Sequence, residues 1–165
     1  MLKTLSLTAA LILAGAAASA EMQVQLGGGW DGQKVPAGQQ CALHGGKGAT
    51  PPMTVSGIPS GAVWVIAYFN DKSYTPLSRN GGHGTIGFPV KGSTARLPAV
   101  PGMTASLPGG ARVIHPARSR GDYASPGYLP PCSGGRGNRY TVDLRAIDKA
   151  GKVLAEVKTV DIGKY

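Results

Sequence analysis

The chain has 165 residues, with 17 lysines and arginines against 8 acidic side chains and a formal net charge of +9 at neutral pH. That length suits one domain with a core of its own, which removes the need for a structural metal, and so few acids leave little material for paired-carboxylate chemistry. Glycine (26) and proline (13) are abundant, yet short β-rich runs recur between them, so the composition reads as a loop-heavy all-β domain and not as disorder.

Residues 1–20 fall into three zones. Lys3 gives a positive start, Leu5 to Ala18 is apolar, and Ala18-Ser19-Ala20 is a small-residue cleavage site before Glu21. This is the layout of a secretory signal peptide. A buried N-terminal helix is the other reading, but Gly15 and the terminal small residues fit cleavage better. The expectation is a protein exported to the periplasm or secreted after cleavage near Ala20, with residues 21–165 as its domain. No stretch reaches about 18 consecutive apolar residues, so no membrane span is expected. A basic exported protein meets anionic head groups, phosphorylated ligands or acidic polymers before nucleic acid. The partner expected is therefore a small anionic ligand and not nucleic acid, although the charge also serves solubility alone.

Residues 22–26 alternate apolar and polar, as an opening strand does. Gly27 to Gly29 and Lys34 to Gly48 read as turn and loop. Met53 to Val55 is a short strand, closed by Gly57-Ile58-Pro59-Ser60-Gly61. Ala62 to Phe69 is almost uniformly apolar with β-branched and aromatic residues, and reads as a central strand buried on both faces. Asn70 to Gly82 is a polar loop, Thr85 to Val90 another strand, and Arg112 to His115 a brief run. Ser119 to Gly137 is a long irregular loop, a feature that in compact domains is often functional. Arg139 to Ile147 alternates, with Tyr140, Val142, Leu144 and Ala146 on one face. Asp148 to Gly151 is a turn, and Val153 to Val160 returns as a strand. No three-turn amphipathic helix is found after the N-terminus. The fold class expected is all-β, a single-domain sandwich of mainly antiparallel strands.

Cys41 and Cys132 are the only cysteines. In an oxidising compartment a disulfide is the expected state, with two buried free thiols as the other arrangement. The bridge would close a loop of roughly 90 residues, worth about 4 to 5 kcal/mol on chain-entropy grounds.

Cys41, then Thr50-Pro51-Pro52-Met53, then Ser56-Gly57-Ile58-Pro59-Ser60-Gly61, then an apolar strand ending in Asn70-Asp71 resembles the phosphatidylethanolamine-binding protein family, which includes the bacterial Raf-kinase-inhibitor-like proteins. Gly82-His83 ahead of a strand, Pro130-Pro131-Cys132 upstream of Asn138-Arg139-Tyr140, and Leu144 to Asp148 extend the resemblance over residues 41–165. The chain departs from the family at several points. Asn70-Asp71-Lys72-Ser73 replaces a loop with two aspartates and a proline, Gly84 stands where an aromatic follows the histidine, and Asn138 stands where a histidine precedes Arg-Tyr. A short turn replaces the helix before the last strand.

The resemblance implies a shallow pocket at one end of the sandwich that holds a phosphate-like anion, either a lipid head group or a small phosphorylated ligand. Asp71 (or Asn70), His83 and Tyr140 are the implied ligand-binding residues, with Pro130 at the rim and Asn138 as a flanking amide. A histidine that is protonated or donating bonds a phosphate oxygen, a tyrosine hydroxyl adds a donor, and an aspartate orients the ring. The blander uses are a core tyrosine, a structural histidine and a solvated turn aspartate. No cofactor is expected. His44, His83 and His115 are too dispersed for a metal site, and no nucleophile elbow, zinc-protease motif or phosphate-binding loop occurs, so catalysis is not expected. An immunoglobulin-like sandwich acting through its surface is the competing class. Convergence of Asp71, His83 and Tyr140 on one pocket separates the two.

Overall fold

The computed structural model describes residues 21–165, so the expected signal peptide lies outside the described residues. Eight strands form: β1 Gln23–Leu26, β2 Met53–Ser56, β3 Trp64–Asp71, β4 Thr85–Pro89, β5 Thr94–Leu97, β6 Arg112–His115, β7 Arg139–Ile147 and β8 Val153–Lys164. Helical structure among the described residues is limited to three one-turn 3-10 segments, Ala42–His44, Thr75–Leu77 and Gly121–Tyr123. A five-stranded sheet runs β6-β4-β3-β7-β8 and a three-stranded sheet runs β1-β2-β5, every pairing antiparallel. The described residues are all-β, as composition and periodicity predict.

The central position of β3 follows from its composition. Val65, Ala67 and Phe69 enter the core on one face, Ile66 is buried on the other between half-exposed Trp64 and Tyr68, and β4 and β7 cover the strand's edges. On β7 the alternating residues Tyr140, Val142, Leu144 and Ala146 enter the core. They meet Met53, Val55 and Leu97 of the smaller sheet in one hydrophobic cluster. The register of β3 with β7 pairs Trp64 with Ile147 at one end and Asp71 with Tyr140 at the other. Two residues 69 positions apart in sequence thus become cross-strand neighbours, and this pairing places the site.

Three elements differ from the sequence expectation. Strand β5 was not foreseen, because Thr94, Ala95 and Arg96 remain wholly or partly accessible and only Leu97 enters the core, which leaves no alternation to read. Strand β3 begins at Trp64 and reaches Asp71, so the expected polar loop contributes its first two residues to the sheet. Strand β8 continues past Val160 to Lys164 through register shifts against β7. Thr159 has φ 59°, and its N–H donates to Asp143 Oδ1 at 2.7 Å, so a side chain of β7 fastens the irregularity.

Candidate functional site

The C-terminal end of β3, the start of β7, the Gly81–Gly84 turn and the loop 118–138 meet at one end of the large sheet. They enclose a cavity of about 710 Å³. Asp71, His83, Asn138 and Tyr140 all line it. Pocket volumes of this order suit a small organic ligand and exceed what a bare inorganic ion fills.

Asp71 is buried and its carboxylate is held from two sides. Oδ1 accepts the Ser73 N–H at 2.9 Å, and Oδ2 accepts the Asn138 side-chain amide at 2.7 Å. Asn138 sits just before β7, so the residue where the resembled family places a histidine serves here as an amide clamp on the aspartate. Its amide can only donate to an ionised carboxylate, with no protonation state to set.

His83 is 3% exposed, and its backbone is pinned on both sides: its N–H donates to the Phe69 carbonyl at 2.9 Å and its carbonyl accepts the Leu129 N–H at 2.8 Å. Nδ1 lies 2.8 Å from the Leu129 carbonyl. A carbonyl only accepts, so Nδ1 carries a proton and in the neutral ring Nε2 carries the lone pair. Burial holds the His83 pKa below its usual 6.5, against the Leu129 hydrogen bond and the nearby Asp71 charge, which both raise it. The ring is therefore neutral at pH 7 in the free protein, and the imidazolium that sequence reasoning allowed is not its resting form.

Tyr140 packs edge-on to His83 with ring centroids 5.3 Å apart, and its hydroxyl accepts the Cys132 N–H at 3.1 Å. Burial pushes its pKa up to about 12, so it stays a neutral donor. The Gly-Gly-His-Gly turn is shaped by close approach. A Cβ on Gly84, where φ is 110°, would lie 2.7 Å from the Gly127 carbonyl and 2.9 Å from Tyr128 Cα. Glycine at the position of the family's aromatic is what lets segment 127–129 reach His83.

Asn70 and Pro130 are placed elsewhere. Asn70 turns its side chain away from the cavity, accepting the N–H groups of Gly81 (3.0 Å) and Gly82 (3.4 Å) and donating to Asp143 Oδ2 (3.2 Å). It holds the turn that carries His83. Pro130 packs against Gly48 and Gly102, where an added Cβ would come within 2.6 and 2.4 Å of its ring. Within the long loop, Tyr123 lines the cavity whereas Tyr128 is buried against Phe69, centroids 4.6 Å apart.

Arginines to which the sequence assigns only diffuse attraction for an anion complete the lining. Arg120 and Arg136 are exposed at the cavity, and neither is in an ion pair among the described residues. Arg118 also lines it, but its guanidinium donates to the carbonyls of Asn80, Pro76 and Arg79 and so staples loop 76–80 in place. The cavity thus holds three arginines against one aspartate. Its two serines are committed to main-chain carbonyls, Ser119 to Tyr123 and Ser133 to Tyr165. Neither is paired with His83, so the lining lacks a serine nucleophile with its base. Cys41 and Cys132 form a disulfide with Cα atoms 5.2 Å apart, and Cys132 lines the cavity. The bridge ties the floor of the cavity to the N-terminal loop.

This combination defines a class by geometry: a two-sheet β-sandwich with a basic cavity at the end of its central strand pair. No protein-family model matches the chain, and no curated protein is significantly similar to it. Among solved structures, a phosphatidylethanolamine-binding protein homolog from Chlamydia trachomatis is similar, with a TM-score of 0.53 and 21% identity over 88% of this chain and 97% of that one. The likeness is one of fold, and it supports a phosphatidylethanolamine-binding-protein-like sandwich.

Proposed function

We propose that the protein is an exported, non-catalytic binding protein whose cavity takes a small ligand bearing a phosphate-type anionic group, free or as a lipid head group. The observation that carries this reading is the convergence of Asp71, His83, Asn138 and Tyr140 on one cavity that also presents Arg120 and Arg136. The guanidinium groups supply attraction and directional donors for phosphate oxygens, and the Tyr140 hydroxyl adds a neutral donor. Asp71, bonded by Asn138 and Ser73, is the one acidic side chain in a mostly basic cavity. Its carboxylate steadies His83 when it gains a proton from, or shares one with, a bound anion. The absence of a nucleophile paired with a base among the lining residues supports binding over turnover. The fold similarity supports the same class, while the immunoglobulin-like alternative has no feature that would call for these residues to meet. Export is supported by the signal-peptide layout of residues 1–20 and is compatible with the disulfide; N-terminal sequencing of protein recovered outside the cytoplasm tests it, with Glu21 expected first.

The binding test is a heteronuclear NMR titration of the mature chain with glycerophosphoethanolamine and, separately, inorganic phosphate. Shifts concentrated at residues 71–83 and 118–140 are expected. Shifts on the open faces of the sheets, or none at millimolar ligand, would reject the reading.

A further inference from the structure

Beside the cavity floor, the described residues bring together a second set of chemistry-bearing side chains. Cys41, His44 and Cys132 each offer one ligand atom, and these atoms all lie within 4.8 Å of one another. His44 ends the 3-10 turn that begins directly after Cys41, so a Cys-x-x-His spacing places the imidazole one turn beyond the first sulfur. His44 Nε2 is buried and has no hydrogen-bond partner. Buried polar atoms in native structures are normally bonded, so this nitrogen stands uncommitted and available as a ligand once the two sulfurs are released from each other. Its neighbours do not supply one: Tyr165 presents a tilted ring 6.3 Å away, and the Gln40 amide donates to the His44 main-chain carbonyl instead.

We propose that reduction of the Cys41–Cys132 disulfide by a dithiol unmasks a two-cysteine, one-histidine site for a thiophilic divalent cation of the zinc class. The reductant's thiolate attacks one sulfur, the S–S bond breaks, and the reductant's second thiol resolves the mixed disulfide. The dithiol leaves as its own disulfide, and Cys41 and Cys132 are left as thiols, so two electrons are transferred in balance. The cation displaces both thiol protons and takes two sulfurs and the His44 nitrogen, with water in the fourth position. Zinc–sulfur bonds of about 2.3 Å in tetrahedral geometry set two thiolates roughly 3.8 Å apart. The sulfurs need only separate within a pair whose Cα spacing is 5.2 Å. Leu129, Ala117 and Met103 pack around the two cysteines as an apolar wall. Cys132 also faces the cavity, which gives reductant and ion an approach. In the oxidised protein the sulfurs are bonded to each other and offer no thiolate, so the site belongs to the reduced form alone.

Cobalt(II) is the probe. The mature protein, reduced with a phosphine that is then removed, is titrated anaerobically with cobalt and back-titrated with zinc, alongside oxidised protein. The reduced form is expected to develop a thiolate-to-cobalt charge-transfer band and intense visible bands of tetrahedral geometry, saturating at one ion per chain and abolished by zinc. The oxidised form should show neither. His44→Ala should weaken reduced-state affinity by at least about ten-fold, since even outer-shell partners of metal ligands are worth that much. Because reduction removes the constraint on a 91-residue separation, circular dichroism and the zinc-induced rise in melting temperature are followed in parallel. Absence of the charge-transfer band in reduced protein, an equal response in His44→Ala, or a reduced chain that zinc neither binds nor refolds would each overturn the proposal.

Discussion

Asn138 donates its side-chain amide to Asp71 Oδ2 at 2.7 Å, joining the residue before β7 to the last residue of β3. Because Asp71 is buried, loss of this donor leaves a desolvated carboxylate oxygen without a partner. Asn138→Ala is therefore expected to cost about 1.5 to 3 kcal/mol in denaturant unfolding, the range for hydrogen bonds to charged groups. Asn138→Asp should cost more, since it sets two carboxylates against each other.

The environment of His83 predicts the sign of a pH effect. Burial lowers its pKa in the folded state below the 6.5 of the unfolded chain. The unfolded state then binds the proton first as pH falls, so the His83 contribution to stability is complete above about pH 6.5 and shrinks as pH drops toward the folded-state value. The loss in that window is at most about 1.4 kcal/mol per pH unit. Chemical denaturation of wild type and His83→Gln at several pH values checks it: the wild type should lose stability more steeply below pH 6.5. Parallel curves would contradict it.

Gly84→Ala tests the close approach on which the site depends. With φ at 110° and the Gly127 carbonyl 2.7 Å from the new Cβ, both backbone strain and steric overlap oppose the substitution. A loss of about 2 kcal/mol or more is expected. It should be accompanied by faster amide exchange at Leu129, whose N–H donates to the His83 carbonyl. Gly151→Ala, where an added Cβ meets nothing within 4 Å, isolates the cost of positive φ alone.

Much of this architecture was legible in the sequence because it rests on local pattern. The apolar run of β3, the alternation of β7 and the turn glycines each follow from a short window. The cavity was only partly legible. Asp71, His83 and Tyr140 came from a resemblance, and what brings them together is the β3–β7 register, a long-range pairing that no window contains. Asn70 and Asp71 are adjacent in sequence and point to opposite faces of one strand, so one binds the turn and the other faces the cavity. Arg120 and Arg136 looked like diffuse charge because nothing local separates a guanidinium at a cavity mouth from one in solvent. The Cys41-x-x-His44 spacing was readable, but its partner Cys132 lies 91 residues away.

The disulfide closes that 91-residue separation, so its reduction should lower stability by about 4 kcal/mol on loop-closure grounds. Urea unfolding of oxidised protein and of the Cys41→Ala/Cys132→Ala double variant measures it. Mass spectrometry without reductant should find both sulfurs in one intramolecular bridge, and free thiols in freshly isolated protein would contradict that state.

Calorimetric titration of glycerophosphoethanolamine into wild type and His83→Ala, at pH 5.5 and pH 8 in buffers of different ionisation heat, tests anion binding at the cavity most directly. A neutral His83 must gain or share a proton to contact an anion, so the wild-type complex should form with proton uptake and weaken as pH rises, by up to about ten-fold per unit. His83→Ala should bind roughly ten- to a hundred-fold more weakly at pH 5.5, the effect of losing one charge-assisted bond, and should lose most of the pH dependence. Equal affinities in the two proteins at both pH values, with no proton uptake in either, would remove His83 from the site and contradict the anion-binding account.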